Sequence, residues 1–236
     1  MNHKKSRGLE NYLVVFGLAA LLSLTLTPTV RAADDDGEAG FTVLSIRIET
    51  NATDGDAEVV IVAESGAGLK DLKVLTPNNK TALSLSSKTT PRLGQAQVLV
   101  ETAEVSLDEV KAAYPAGVYH FRGKTVAGEK LAGDATLSHS LLSVPVIITP
   151  SNKATGVPVI GQVVTWAPIA GANGYFLELE DAKTKAALKI DLLKTVTSFA
   201  IPNGLLLPNT DYGLNLGVIG VDGNRVFTEV TFRTGS

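Results

Sequence analysis

The chain of 236 residues contains no cysteine. That absence excludes disulfide staples, a thiol nucleophile, and the lipidated cysteine that tethers a bacterial lipoprotein. Each domain must then be stable through its hydrophobic core alone. Histidine is scarce as well: beyond His3 the chain has only His120 and His139. Helix signals are almost missing, and one apolar run near the amino terminus has no counterpart further on.

That run, Leu13 to Leu26, follows Lys4, Lys5 and Arg7 and precedes Val30-Arg31-Ala32. A basic start, an apolar stretch and small residues at a cleavage point are the grammar of a secretory signal peptide. Spanning a bilayer takes about 20 apolar residues, so the run predicts a cleaved signal over 1–32 rather than a stable membrane span. The expected location is secreted or periplasmic. Cleavage removes four of the 21 basic and one of the 24 acidic side chains, leaving 17 against 23 and a net charge near −6. Such a chain is repelled by nucleic acid and by anionic lipid, which excludes both as expected partners.

Asp34-Asp35-Asp36-Gly37-Glu38 carries charge without apolar periodicity, so 33–40 reads as an acidic flexible leader, with structure beginning at Phe41. Over 41–143, Leu44, Ile46 and Ile48 alternate with Ser45, Arg47 and Glu49, the period of a half-buried strand. Val59-Val60-Ile61-Val62 fits a strand buried on both faces. Ser106-Leu107-Asp108-Glu109 has the form of a capping box and predicts one short helix, stopped by Pro115 and Gly117. A hairpin is expected from Val118 to Leu137, turning near Gly128-Glu129-Lys130. Its expected register pairs Phe121 with Leu137 and Tyr119 with His139, and sets Lys124 opposite Asp134.

After Val144-Pro145-Val146, a second unit over 144–236 shows the same alternation. Val164 and Trp166 share one face, as do Tyr175, Leu177 and Leu179, and later Tyr212, Leu214, Leu216 and Val218. Asp222-Gly223 is a hairpin turn signal. The expected fold is all-β, with two β-sandwich-like domains in tandem.

The order Trp166, Tyr175, Leu206, Pro208, Thr210, Tyr212 resembles the landmarks of a fibronectin type III domain, an immunoglobulin-like sandwich. The resemblance implies that Leu206 packs before a corner and that the Tyr212 hydroxyl bonds back to upstream backbone. The lack of cysteine favours this type over a disulfide-bonded immunoglobulin domain. In the first half, Asn51-Ala52-Thr53-Asp54-Gly55-Asp56-Ala57 and Gly117-Val118-Tyr119-His120-Phe121-Arg122-Gly123-Lys124-Thr125 are similar to secreted bacterial proteins carrying such a domain. That family implies no known activity. Fibronectin type III domains serve mostly as spacers and protein-binding surfaces; the Arg-Gly-Asp tripeptide used for integrin binding is missing here.

Chemistry is thin. Ser138-His139-Ser140 has a hydrolase's residue types, but neighbours along a strand point to opposite faces. His120 and His139 fall on opposite faces by the expected register, so they make no metal pair. No catalytic residue and no cofactor is expected, and the chain reads as noncatalytic. Asp54 and Asp56 around Gly55, with Asn51 nearby, form the best polar cluster and a candidate calcium site, although the EF-hand spacing is absent. The competing reading is a turn.

Phe176 should point outward, towards the bare backbone of Gly213 and Gly217, either shielding those glycines or forming a docking face with Glu178, Asn215, Ile219, Thr231 and Arg233. The expected function is an exported binding or scaffold module for a protein or cell-envelope polymer. The alternative is an accessory carbohydrate-binding protein for secreted hydrolases, with an enzyme as a remote third.

Overall fold

The computed structural model describes residues 39–87 and 94–236. The expected signal over 1–32 and most of the acidic leader lie outside them. The described residues form strands joined by turns, with one short helix. The fold is all-β.

The first half comprises β1 (Ala39–Gly40), β2 (Val43–Asn51), β3 (Asp56–Leu75), β4 (Thr81–Ser86), β5 (Gln95–Glu101), helix α1 (Leu107–Ala113), β6 (Gly117–Thr125) and β7 (Lys130–Leu137). Among the described residues, regular structure already includes Ala39 and Gly40, two residues before Phe41, which pair in parallel with Leu131 and Ala132. The long strand β3 organises the rest. Up to Glu64 it pairs with β2 and β5, and from Leu69 it pairs with β6 and β4. Between them the register breaks, and Gly68 takes φ +75° with Gly94 packed so closely that a Cβ there would lie 2.4 Å from Gly68 backbone. The sheet thereby folds over on itself. Ile46, Ile48, Val59 and Ile61 from one limb meet Leu72, Val74, Tyr119 and Phe121 from the other in a single core.

Val59, Val60, Ile61 and Val62 are all buried, as their continuous apolar run predicts. The helix begins as its capping box requires: the Glu109 N–H donates to Ser106 Oγ at 3.3 Å and the Ser106 N–H donates to Glu109 Oε2 at 3.1 Å. The hairpin register differs from expectation by four residues. Phe121 faces Gly133, Tyr119 faces Ala135, Lys124 faces Lys130, and Asp134 faces His120. The tight turn decides this, with the Thr125 N–H donating to Glu129 O at 2.9 Å. An even slip keeps every side chain on its face, so alternation could not detect it. His139 falls beyond the strand and bonds Tyr114 O through Nε2 at 2.8 Å.

The second half comprises β8 (Ile147–Thr149), β9 (Ala154–Val157), β10 (Val163–Trp166), β11 (Gly174–Asp181), β12 (Ala187–Leu193), β13 (Ser198–Ala200), β14 (Asp211–Ile219) and β15 (Arg225–Thr234). Strands β13, β10 and β8 make one layer, and β12, β11, β14 and β15 run side by side in the other. Between them Trp166 meets Tyr175 edge-on at 5.6 Å, and Leu177, Leu214, Leu216 and Phe232 complete the core. At the corner before β14 the Leu207 N–H donates to the Tyr212 hydroxyl at 2.8 Å, and that hydroxyl reaches Leu205 O at 3.4 Å. Leu206 is buried while Leu205 and Leu207 are exposed. Asn209 takes the left-handed φ of +52° that the turn needs.

The halves share one sheet. Arg225, Val226 and Phe227 of β15 pair in parallel with Glu49, Thr50 and Asn51 of β2, so hydrogen-bonded strands run unbroken from β7 to β12. Asn224, in the turn before β15, fixes this seam. Its Oδ1 accepts from the Ile48 N–H at 2.8 Å, while its Nδ2 donates to Ser138 O at 3.0 Å and Ser140 O at 2.8 Å. Ser138 and Ser140 are thus committed through their backbone to the joint.

Candidate functional site

The seam brings the two sequence-predicted sites onto one sheet face. The loop Asn51–Asp56 packs beside β15: the Ala52 N–H donates to Phe227 O, and the Glu229 N–H donates to Thr53 Oγ1, both at 2.8 Å. Glu229 in turn stands opposite Asn215, which stands opposite Glu178. Three neighbouring strands therefore carry Glu178, Asn215 and Glu229 in one row.

Within the loop, Asn51 is already engaged. Its Oδ1 accepts from the Thr53 N–H at 2.9 Å and its Nδ2 donates to Asp54 Oδ2 at 2.8 Å. Gly55 adopts φ +78° in a tight turn. Burial and the neighbouring Asp54 raise the Asp56 carboxyl above its usual range. Among the described residues no group of three or more His, Cys, Asp or Glu side chains converges to hold a metal ion.

The expected docking face is covered at its centre. Phe176, Glu178 and Asn215 are 7%, 4% and 2% exposed, so they are not available as an open surface, whereas Thr231 and Arg233 are exposed and Ile219 is half-buried. Phe176 lies over Gly217, its direct cross-strand partner, where a Cβ would come within 1.8 Å of the ring. Gly213 instead faces Glu180. Phe227 meets the Phe176 ring edge-on at 6.0 Å and the Arg225 guanidinium sits 5.3 Å from its centroid. Neighbours on β15 close the ring off. A sugar platform at Phe176 is excluded by that burial.

The polar residues of β2 are the part that sequence reasoning missed. Arg47 and Glu49 are buried rather than solvent-facing. Arg47 Nε and Nη2 both lie 2.7 Å from Glu49 Oε1, and Arg225 Nη1 approaches the same oxygen at 3.5 Å. Glu49 Oε2, Arg225 Nε and Asn215 Oδ1 are buried with no hydrogen-bond partner. Glu58 faces Glu49 across the strands, and burial together with the charges of Glu49, Glu101 and Glu104 pushes its carboxyl up to about 8. Burial, with Asp54, Glu180 and Glu178, pushes Glu229 up to about 7. Burial is also the largest cause raising Glu101, while the charge of Lys189 on β12 opposes it. Burial lowers Arg225, and Glu49 opposes that shift. Burial disfavours the charged form of a carboxyl, which is why these values move up.

No protein-family model matches the chain, and no curated protein matches it in sequence. Among solved structures it is similar to the chicken CNTN1 FN1–FN3 domains, at 13% identity and TM-score 0.35 over 85% of this chain and 68% of that one. It is also similar to a two fibronectin type III domain segment of chicken tenascin, at 9% and 0.32, covering 82% and 99%. A tetra-tandem repeat in the extending region of a large adhesion protein gives 12% and 0.28, covering 81% and 48%. The fibronectin type III-like fold of the second half is read from its own strands. Its three-stranded and four-stranded layers enclose Trp166 and Tyr175, and Tyr212 closes the corner.

Proposed function

We propose that the protein is an exported, noncatalytic binding or scaffold module that presents β-sandwich surfaces to a protein or cell-envelope partner. The observation that carries this reading is strand β8. It is the edge of its layer, and the segment leading through it buries Pro145 and half-buries Ile147 while exposing Val144, Val146 and Ile148 at 47%, 60% and 56%. Edge strands are normally blunted with charge, because free backbone beside apolar side chains templates pairing with another chain. This edge is apolar on its open side and has Val163 of β10, 39% exposed, on the same layer. A partner strand added there would cover both backbone and side chains. The export part of the reading is supported by the basic, apolar and small-residue order of 1–32.

A photo-crosslinking residue placed at Val146 in the producing cells tests this, with Val221 as control because it is 80% exposed in a turn. A discrete crosslinked species from Val146 that is absent from Val221 is expected. No species from Val146, or the same one from both positions, contradicts the reading.

A further inference from the structure

The second limb of β3 turns Leu72 and Val74 into the core, so Asp71 and Lys73 point away from it. By the same alternation β6 buries Tyr119 and Phe121 and presents His120, Arg122 and Lys124, and β7 presents Lys130 and Asp134. The register sets Lys124 directly opposite Lys130 and, one row along, Lys73 directly opposite Arg122. Like charges facing each other across strands destabilise a sheet. With Lys73, Arg122, Lys124 and Lys130 against Asp71 and Asp134, this face carries more basic than acidic side chains in a chain whose overall charge is negative.

Each pair has a carboxylate beside it, Asp71 directly opposite Lys124 and Asp134 next to Arg122. Asp134 accepts from His120 at 2.8 Å and lies 3.8 Å from Arg122, while Asp71 accepts from Ser86 Oγ at 2.6 Å. Among the described residues no ion pair reaches Lys73, Lys124 or Lys130. Strand β4 extends the same face with hydroxyls: Ser84 stands opposite Lys73 and Ser86 opposite Asp71, both exposed.

We propose that this face of β7, β6, β3 and β4 binds an acidic polysaccharide. Cations about 4.8 Å apart across strands and about 6.8 Å apart along them meet carboxylates repeated along a sugar chain. The hydroxyls of that chain donate to Asp71 and Asp134 and exchange hydrogen bonds with Ser84 and Ser86. A polyphosphate repeats the negative charge but offers no hydroxyl donors to the two aspartates, so hydrogen-bond chemistry selects the sugar polymer. The inference deepens the envelope-polymer side of the proposed function, and rests on it only for the setting. Its surface is separate from strand β8.

The probe is a fluorescent polygalacturonate oligomer titrated with the mature chain at about 50 mM salt, where surface charges are only partly screened. Binding that weakens as salt rises is expected. Lys73→Glu with Lys124→Glu should weaken it at least about tenfold while circular dichroism shows the fold retained. Lys183→Glu with Lys194→Glu, in the second half, should leave it unchanged, as should Val146→Lys with Ile148→Lys. Absence of binding by the wild type, undiminished binding by the Lys73/Lys124 variant, or equal affinity for inorganic polyphosphate overturns the proposal. Because the β8 variant is scored separately, loss of one surface is distinguishable from loss of the other.

Discussion

Asn224 Oδ1 accepts the backbone N–H of Ile48 at 2.8 Å, tying the turn before β15 to a strand 176 positions earlier. The same side chain holds the connection between the halves through Ser138 O and Ser140 O. One buried amide therefore fixes where the second half sits against the first.

Asn224→Ala leaves the Ile48 N–H and two carbonyls without their partner. A buried group left unsatisfied costs about 1–3 kcal/mol, so the variant should lose roughly 2–4 kcal/mol in urea unfolding. A loss below about 0.5 kcal/mol would mean the amide does not hold the seam.

The carboxyls of Glu58 and Glu229 make stability depend on pH with a definite sign. Their folded values, about 8 and about 7, lie above the ordinary 4.5, so the folded chain retains protons that the unfolded chain has released. Their contribution is therefore present at low pH and is lost as pH rises from 4.5 through each folded value. Glu58, with the higher folded value, contributes most to the fall that continues up to pH 8, and Glu58→Gln should reduce it. Urea midpoints measured from pH 5 to 8.5 check this; an unchanged slope in the variant contradicts it.

Gly217 is required by the ring above it. Gly217→Ala would force a Cβ to within 1.8 Å of Phe176, an overpacking expected to cost about 1–3 kcal/mol. Combining it with Phe176→Leu should restore part of that loss, giving a favourable coupling in a double-mutant cycle. Strict additivity of the two changes would show that ring and glycine do not meet.

Tyr212→Phe removes the acceptor of the Leu207 N–H and should lower stability by about 1 kcal/mol, the usual worth of one hydrogen bond. Crosslinking through Val146 should persist, since the corner takes no part in strand β8.

Much of the fold is legible in local sequence pattern. Alternation places Tyr175, Leu177 and Leu214 in the core, Ser106 and Glu109 announce the helix, and Leu207-Pro208-Asn209-Thr210-Asp211-Tyr212 announces the corner. What local pattern misses is non-local. Arg47 and Glu49 look like the wet side of a half-buried strand, and nothing in their own segment records that β15 lies beside them carrying Arg225. Alternation puts Phe176 on the outer face correctly, yet gives no sign that Phe227 and Arg225 from another strand cover it. The hairpin slip belongs to the same class, because a shift of four preserves the pattern and only the turn from Thr125 to Glu129 selects the register.

Continuity of the sheet through β2 and β15 is tested most directly by native-state amide hydrogen exchange, comparing Ile61 in the core of the first half with Leu216 in the core of the second. A shared sheet pinned by Asn224 predicts that both amides exchange through one global opening of equal free energy, and that Asn224→Ala separates them. Two different global opening energies in the wild-type protein would contradict it.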